Sequence, residues 1–407
     1  MEQPKLRFIR EDGTEYPEWE KGCLSDITKK VNRTAKEDST APIMMISQRN
    51  GFIHQSEKYS RDNAGKSLEK YTLLKYGEMA YNHGASKAKP YGVTFCLQEE
   101  KEARVPFVYH AFCIANGVPK YWNYALNTSQ MDRQLKKMVS SGARMDGLLN
   151  INYDTYMQTK VFMPCLEEQQ KIADFLSTVD EVISQSEAEV QNLEQQKKAA
   201  MQKIFSQEVR FRREGGTEFP EWEEKAITEI CESILGGGTP TTENKDYWNG
   251  DIAWVSSSDL DNNDIHHLTI TRFITEEAIR CSATKRIPRD SVLIVSRVGV
   301  GKVVVAPCEL CTSQDFTNIV NPKCNSLFLG YMLSVIMQIK ANGVQGTSIK
   351  GVTAKEINQY RISIPCLEEQ QKIANFLSAY DEAIACAKQE LDKWKELKKG
   401  LLQQMFV

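Results

Sequence analysis

From Ile172 the apolar positions of this chain step by four and three: Leu176, Val179, Ile183, Val190, Leu193, Ala200 and Ile204, with Ser186 and Lys197 in the two remaining seam positions. A second stretch keeps the register through Ile373, Leu377, Tyr380, Ile384, Ala387, Leu391, Trp394, Leu401 and Met405, and Lys398 stands where the first has Lys197. Alternating spacing over several heptads predicts coiled-coil seams rather than ordinary amphipathic core helices. Pro164 and Pro365 sit just before each helix, where proline is tolerated. Elsewhere the chain has short apolar runs. Ile43 to Ser47, Val105 to His110, Ile252 to Ser256 and Ser291 to Ser296 are β-branched or aromatic-rich and bounded by turn residues, which predicts strands. The fold class expected is therefore α/β (α+β) globular domains together with two long helices.

The two patterns belong to an internal repeat. Pro164 through Ala173 recurs identically as Pro365 through Ala374, and Arg7-Phe8 with Thr14 to Glu20 returns as Arg210-Phe211 with Thr217 to Glu223. Four domains follow: a head over 1–160, a central spacer helix over 161–206, a second head over 207–364 and a C-terminal spacer helix over 365–407. If the ends of each head lie close together, as is usual, the second helix returns toward the first head. The helices are then antiparallel, a rod of roughly 60 Å at about 1.5 Å per residue, and the chain has pseudo-twofold symmetry.

Composition changes this picture in three places. At 407 residues, two to three domains are expected, and the hydrophobic and charged fractions of 41% and 26% are those of a soluble globular protein. No run approaches the roughly 20 apolar residues of a membrane span, and the N-terminus lacks a signal-peptide layout, so a cytoplasmic location is expected. Eleven scattered cysteines there read as free thiols. A net charge of −3 counts against a nucleic-acid binder. The first head is nevertheless net +5, while the second is net −3.

Between the repeat markers the heads have diverged. The second opens with Leu235-Gly236-Gly237-Gly238-Thr239-Pro240 and continues with Tyr247-Trp248-Asn249-Gly250-Asp251-Ile252; Ile287-Pro288-Arg289-Asp290, Arg297-Val298-Gly299 and Gln345 to Lys350 follow. The first head has looser equivalents in Leu73 to Asn82 and Ser140 to Arg144. These stretches, with the doubled Leu-Glu-Glu-Gln-Gln-Lys-Ile-Ala helix start, resemble the specificity subunits of type I restriction-modification systems over nearly the whole chain. The resemblance implies that each head is a target-recognition domain reading one half of a bipartite double-stranded DNA site, with the helices setting the gap. It also implies two modification (methyltransferase) subunits docked on the helical region and restriction (translocase/nuclease) subunits beyond them. S-adenosylmethionine and ATP would then belong to those partners, with no cofactor, metal or catalytic residue on this chain.

Base readout needs exposed donors and acceptors, and phosphate positioning needs cations and hydroxyls. In the first head Gln48, Arg49 and Asn50 follow an apolar strand; Asn82, Ser86, Lys87 and Lys89 lie in a polar loop after Met79 to Tyr81; Ser141 and Arg144 complete the set. In the second the candidates are Ser256, Ser257, Ser258, Arg297, Lys302, Gln314, Thr347, Ser348 and Lys350. Cys308-x-x-Cys311 with Cys324 lacks a second close pair and a nearby histidine, so unligated thiols are expected rather than zinc. Gly299-Val300-Gly301-Lys302 lacks phosphate-loop spacing, and a tight turn is expected at Gly236 to Gly238. His266-His267 reads as an exposed loop pair, and no Asp-Pro-Pro-Tyr or Asn-Pro-Pro-Tyr methyltransferase signature is present. The runner-up reading is a coiled-coil scaffold whose heads bind protein.

Overall fold

The computed structural model describes residues 4–36, 39–47, 51–58, 65–84, 86, 89–139, 149–343 and 351–406. The chain forms two compact units. Unit 1 holds 1–186 and 390–407, and unit 2 holds 187–389. The long helices run Leu166–Phe205 and Leu367–Met405. Each unit thus owns the N-terminal part of one helix and the C-terminal part of the other.

Each helix begins immediately after a strand and a proline-cysteine pair, with two glutamates in its first turn, where the helix dipole favours negative charge. That strand closes the head. Lys160–Met163 pairs antiparallel with Glu20–Cys23, and Arg361–Ile364 pairs in the same way with Glu223–Ala226. The repeat markers meet at this closure, and they do so identically in both units. Arg7 donates from Nε and Nη2 to the fully buried Glu168 at 3.1 and 2.8 Å, and the Trp19 indole donates to the same carboxylate at 2.9 Å. Arg210, Glu369 and Trp222 repeat the arrangement at 3.3, 3.0 and 3.2 Å. The bound carboxylates hold both guanidiniums above their ordinary pKa. Gln169 and Gln370 each donate to the proline carbonyl before the helix at 2.8 Å. Phe8 on Phe175 and Phe211 on Phe376 make the same edge-to-face contact at 5.5 Å. The doubled motif is a clasp that fixes the lead-in of each head to its helix.

The predicted seams are buried on one side. Ile172 and Leu176 face the core of unit 1 together with Met405 and Phe406, and Ile373 and Leu377 face that of unit 2 together with Met201 and Ile204. Within unit 2, Glu194 meets Lys388 at 2.7 Å and Lys197 meets Asp381; within unit 1, Asp180 meets Lys398. Numbers rise on one helix as they fall on the other, so the paired segments are antiparallel in each unit.

The heads are α+β. Unit 2 contains two four-stranded sheets, one built around the strands Val292–Val295 and Phe316–Val320 and the other around Ile252–Val255 and Leu310–Thr312. The first of these packs on the apolar helix Ser326–Gly343. Unit 1 contains one four-stranded sheet and two-stranded ribbons. Three strand expectations hold: Met44–Ser47, Ile252–Val255 and Val292–Val295. The stretch Val105 to His110 is not a strand. It is the connection between Glu102–Val105 and His110–Ile114, turned at Pro106, whose carbonyl accepts from the Tyr109 amide at 3.0 Å.

Candidate nucleic-acid interface

In unit 2 the nominated residues that are described gather at one end of the sheets. The Ser313 amide donates to the Val255 carbonyl, the Ser296 amide to Asp315, and the Val352 amide to Ser296, each at 2.8 Å. These bonds knit the ends of four segments together, so Ser256 to Ser258, Arg297, Gln314 and the start of 351–352 become neighbours. Backbone packing here leaves no space for side chains at Gly237 and Gly238: a Cβ would come within 2.0 Å of the Ser313 carbonyl oxygen at the first and 2.5 Å of Ala283 at the second. Close approach, rather than a free tight turn, is what those glycines serve.

Most of the nominated side chains there are engaged by the protein itself. Ser256 donates its hydroxyl to Asp259 at 3.1 Å and lies 2.9 Å from the Ser258 hydroxyl. Arg272, which the sequence did not single out, donates to Ser256 Oγ at 2.7 Å, pairs with Asp259 and lies 4.6 Å over the Trp254 ring. Lys302, a candidate DNA contact, donates to the Ser257 and Leu260 carbonyls at 3.0 and 2.6 Å, bracing the loop. Gln314 is exposed and accepts from Thr239. Arg297 is exposed, beside the hairpin turn at Gly299. Ser257, Ser258, Arg297 and Gln314 remain able to meet a ligand, whereas Ser256 and Lys302 shape the loop.

In unit 1, Asn82 stands at the end of Met79–Asn82 and turns inward. Its amide donates to the Ile46 carbonyl at 3.4 Å, and its oxygen accepts from the Gly84 amide at 3.0 Å. It is a loop brace, and through Ile46 it joins the two regions the sequence nominated. Ser86 accepts from the Lys89 amide at 3.1 Å. Lys89 opens onto a groove shared with Arg133 and the end of the second long helix. Gln48, Arg49, Asn50, Lys87, Ser141, Arg144, Thr347, Ser348 and Lys350 lie outside the described residues.

The expectation for His266 is revised. His266 is half-buried rather than an exposed loop residue: its Nε2 lies 2.9 Å from the Tyr331 hydroxyl and 3.5 Å from Asp381. Burial raises the Asp381 carboxyl, but the His266 hydrogen bond and the Lys197 charge outweigh it and hold the pKa below the usual range. Cys311 and Cys324 lie in different core clusters, and burial pushes both thiols up to about 11. Among the described residues no group of three or more His, Cys, Asp or Glu is placed to hold a metal, and no helix is long and apolar enough to cross a membrane.

Residues 220–396 match the family model of the type I restriction modification DNA specificity domain. The MjaIX specificity subunit, a type I restriction enzyme subunit of Methanocaldococcus jannaschii, is 34% identical over 216 residues, 49% of this chain and 48% of that protein. The putative MjaX specificity subunit of the same organism is 26% identical over 431 residues, spanning 98% of this chain and 97% of that one. The chain thus spans about half the length of the first relative and nearly all of the second. The crystal structure of a type I restriction-modification system S subunit from M. genitalium shares the fold, with a TM-score of 0.55 at 13% identity over 100% of this chain and 99% of that one. With the clasp and seam present twice, residues 220–396 carry the type I restriction modification DNA specificity domain, and the chain is similar to a putative type I restriction enzyme specificity subunit over nearly its whole length.

Proposed function

We propose that this chain is a non-catalytic DNA-reading subunit in which each head reads one half of a split duplex site. The observation that carries this reading is one frame used twice. The clasp repeats residue for residue, and the closing strand pair and the helix seam repeat position for position, while the loops they present differ. A duplicated frame with dissimilar loops suits a protein that must hold two different short sequences at a set interval. The paired helices would set that interval and dock two methyltransferase subunits. S-adenosylmethionine and ATP would act on those subunits and on the restriction subunits, in the cytoplasm with the DNA.

In unit 2 the proposed readers are Ser257, Ser258, Arg297 and Gln314, with Arg272 and Lys302 as the residues that position them. Arginine and glutamine suit guanine and adenine edges, and serine suits either. The test is a modified-base map. The chain is expressed with its methyltransferase partner in a methylation-free host, and the genome is sequenced for methyl-adenine. One split motif with a fixed gap, lost when this chain is omitted, is expected. Methylation that is unchanged without the chain would instead favour a scaffold.

A further inference from the structure

Unit 1 carries an open groove of about 750 Å³ lined by Lys5, Lys89, Arg133, Lys395, Lys398 and Lys399. Its lining contains one carboxylate, Asp132, whose pKa burial raises against the pull of Lys89. Among the lining lysines, Lys398 pairs with Asp180, and Lys399 lies 3.4 Å from Glu396. The lining stays net positive after both are counted. The helix Ser129–Met138 also starts here, capped by Thr128, whose hydroxyl accepts from the Met131 amide at 3.3 Å. Its first amides add to the positive field.

The repeat shows what is unusual about this place. Tyr124 donates to Asp180 at 2.7 Å in unit 1, and Tyr331 donates to Asp381 in unit 2, so the two frames can be laid on each other. In unit 2 the helix carrying Tyr331 runs unbroken over Ser326–Gly343, with no second start. In unit 2 the Asn263 carbonyl accepts from Lys197, the repeat mate of Lys398, at 3.2 Å, and its side chain accepts from Gln338 at 2.5 Å. The repeat position of Lys395 holds an acidic residue, Glu194, which pairs with Lys388. Total charge follows the same division: unit 1 has 29 Lys+Arg against 27 Asp+Glu, and unit 2 has 22 against 27.

We propose that this groove seats a stretch of DNA sugar-phosphate backbone, so that the last turns of the C-terminal helix supply phosphate contacts for the first head. The inference rests on the DNA-reading function above. Lysine, arginine and helix starts are the groups that take phosphates without reading sequence. Lys89, whose amide bonds to Ser86 in the stretch after Met79–Asn82, lines the groove. Electrostatic affinity is then carried by unit 1, which reconciles an acidic second head with a polyanionic ligand.

The test uses the full chain assembled with its methyltransferase partner, binding a duplex that holds the mapped motif and a scrambled duplex across a salt series. Arg133 and Lys399 are exposed, and Lys198, the repeat mate of Lys399, is an exposed control. Arg133→Ala with Lys399→Ala should weaken both duplexes alike and leave the methylated motif unchanged. The slope of log affinity against log salt should fall by about 0.9 for each lost contact. Lys198→Ala should change neither quantity. An unaltered slope in the double variant, or an equal drop with Lys198→Ala, overturns the groove while leaving the reading of split sites intact. Loss of the methyltransferase from the assembly on making the double variant would make the groove a protein-docking face and also overturn it. If the unmodified assembly shows no preference for any split motif, the functional reading fails and the groove assignment falls with it.

Discussion

Lys197 and Lys398 occupy the same seam position in two copies of one helix, yet their surroundings differ. Lys197 is 7% exposed, pairs with Asp381 at 14%, lies 5.1 Å over the Tyr331 ring and donates to the Asn263 carbonyl. Lys398 is 28% exposed against Asp180 at 37%, over Tyr124 at 5.6 Å. Removing one partner of a buried pair leaves an uncompensated charge, whereas an exposed pair contributes little. Lys197→Met should therefore destabilise the chain by about 3 kcal/mol, and Lys398→Met by about 1 kcal/mol or less. Chemical denaturation of the two variants reads the difference directly, and equal shifts in midpoint would contradict it. That a lysine sat in each seam was legible from spacing alone. That one is buried and the other half-open was not, because the burying residue, Asn263, is distant in sequence and sits in a divergent loop.

At the level of elements, the parts read well from sequence were those bounded by the repeat. Both helices begin and end within a few residues of where the heptads place them, since an apolar seam with no internal proline leaves few alternatives. The clasp was visible as a motif but not as a mechanism. Glu168 and Glu369 look like helix-surface glutamates until Arg7 and Arg210 arrive from some 160 residues away. Reading residues were harder still, because the same residue types brace loops: Lys302 and Asn82 spend their donors on backbone carbonyls. The clasp predicts local behaviour. In Glu369→Gln, Trp222 keeps an acceptor while Arg210 loses its counter-charge, a loss of about 2 kcal/mol. Because the lead-in is held to the helix there, limited proteolysis should cut residues 207–222 faster than in the parent chain. Glu168→Gln should do the same for residues 4–20. First cleavage elsewhere, with these segments still protected, would mean that the strand pairs alone hold them.

For the molecule as a whole, the repeat raises the question of why the two halves associate with each other rather than with copies of themselves. Asp180 and Lys197 share one helix, and Asp381 and Lys398 share the other, so each helix is complementary to an antiparallel copy of itself at those positions. A neighbouring layer breaks the degeneracy. Glu194 pairs with Lys388, but the repeat position of Lys388 in the first helix is Glu187. Two copies of the first helix would set Glu194 against Glu187 twice, and two copies of the second would set Lys395 against Lys388. Charge pairs of this kind choose partners in coiled coils. A fragment of residues 1–206 should consequently dimerise weakly. Its Glu194→Lys variant, which turns two like-charge pairs into two opposite ones, should dimerise about tenfold more tightly, at a few tenths of a kcal/mol for each repulsion removed and each attraction gained. Sedimentation equilibrium at low salt measures both constants, and raising the salt should shrink the gap between them. A variant no tighter than the parent fragment would place partner choice in the apolar seam instead of this layer.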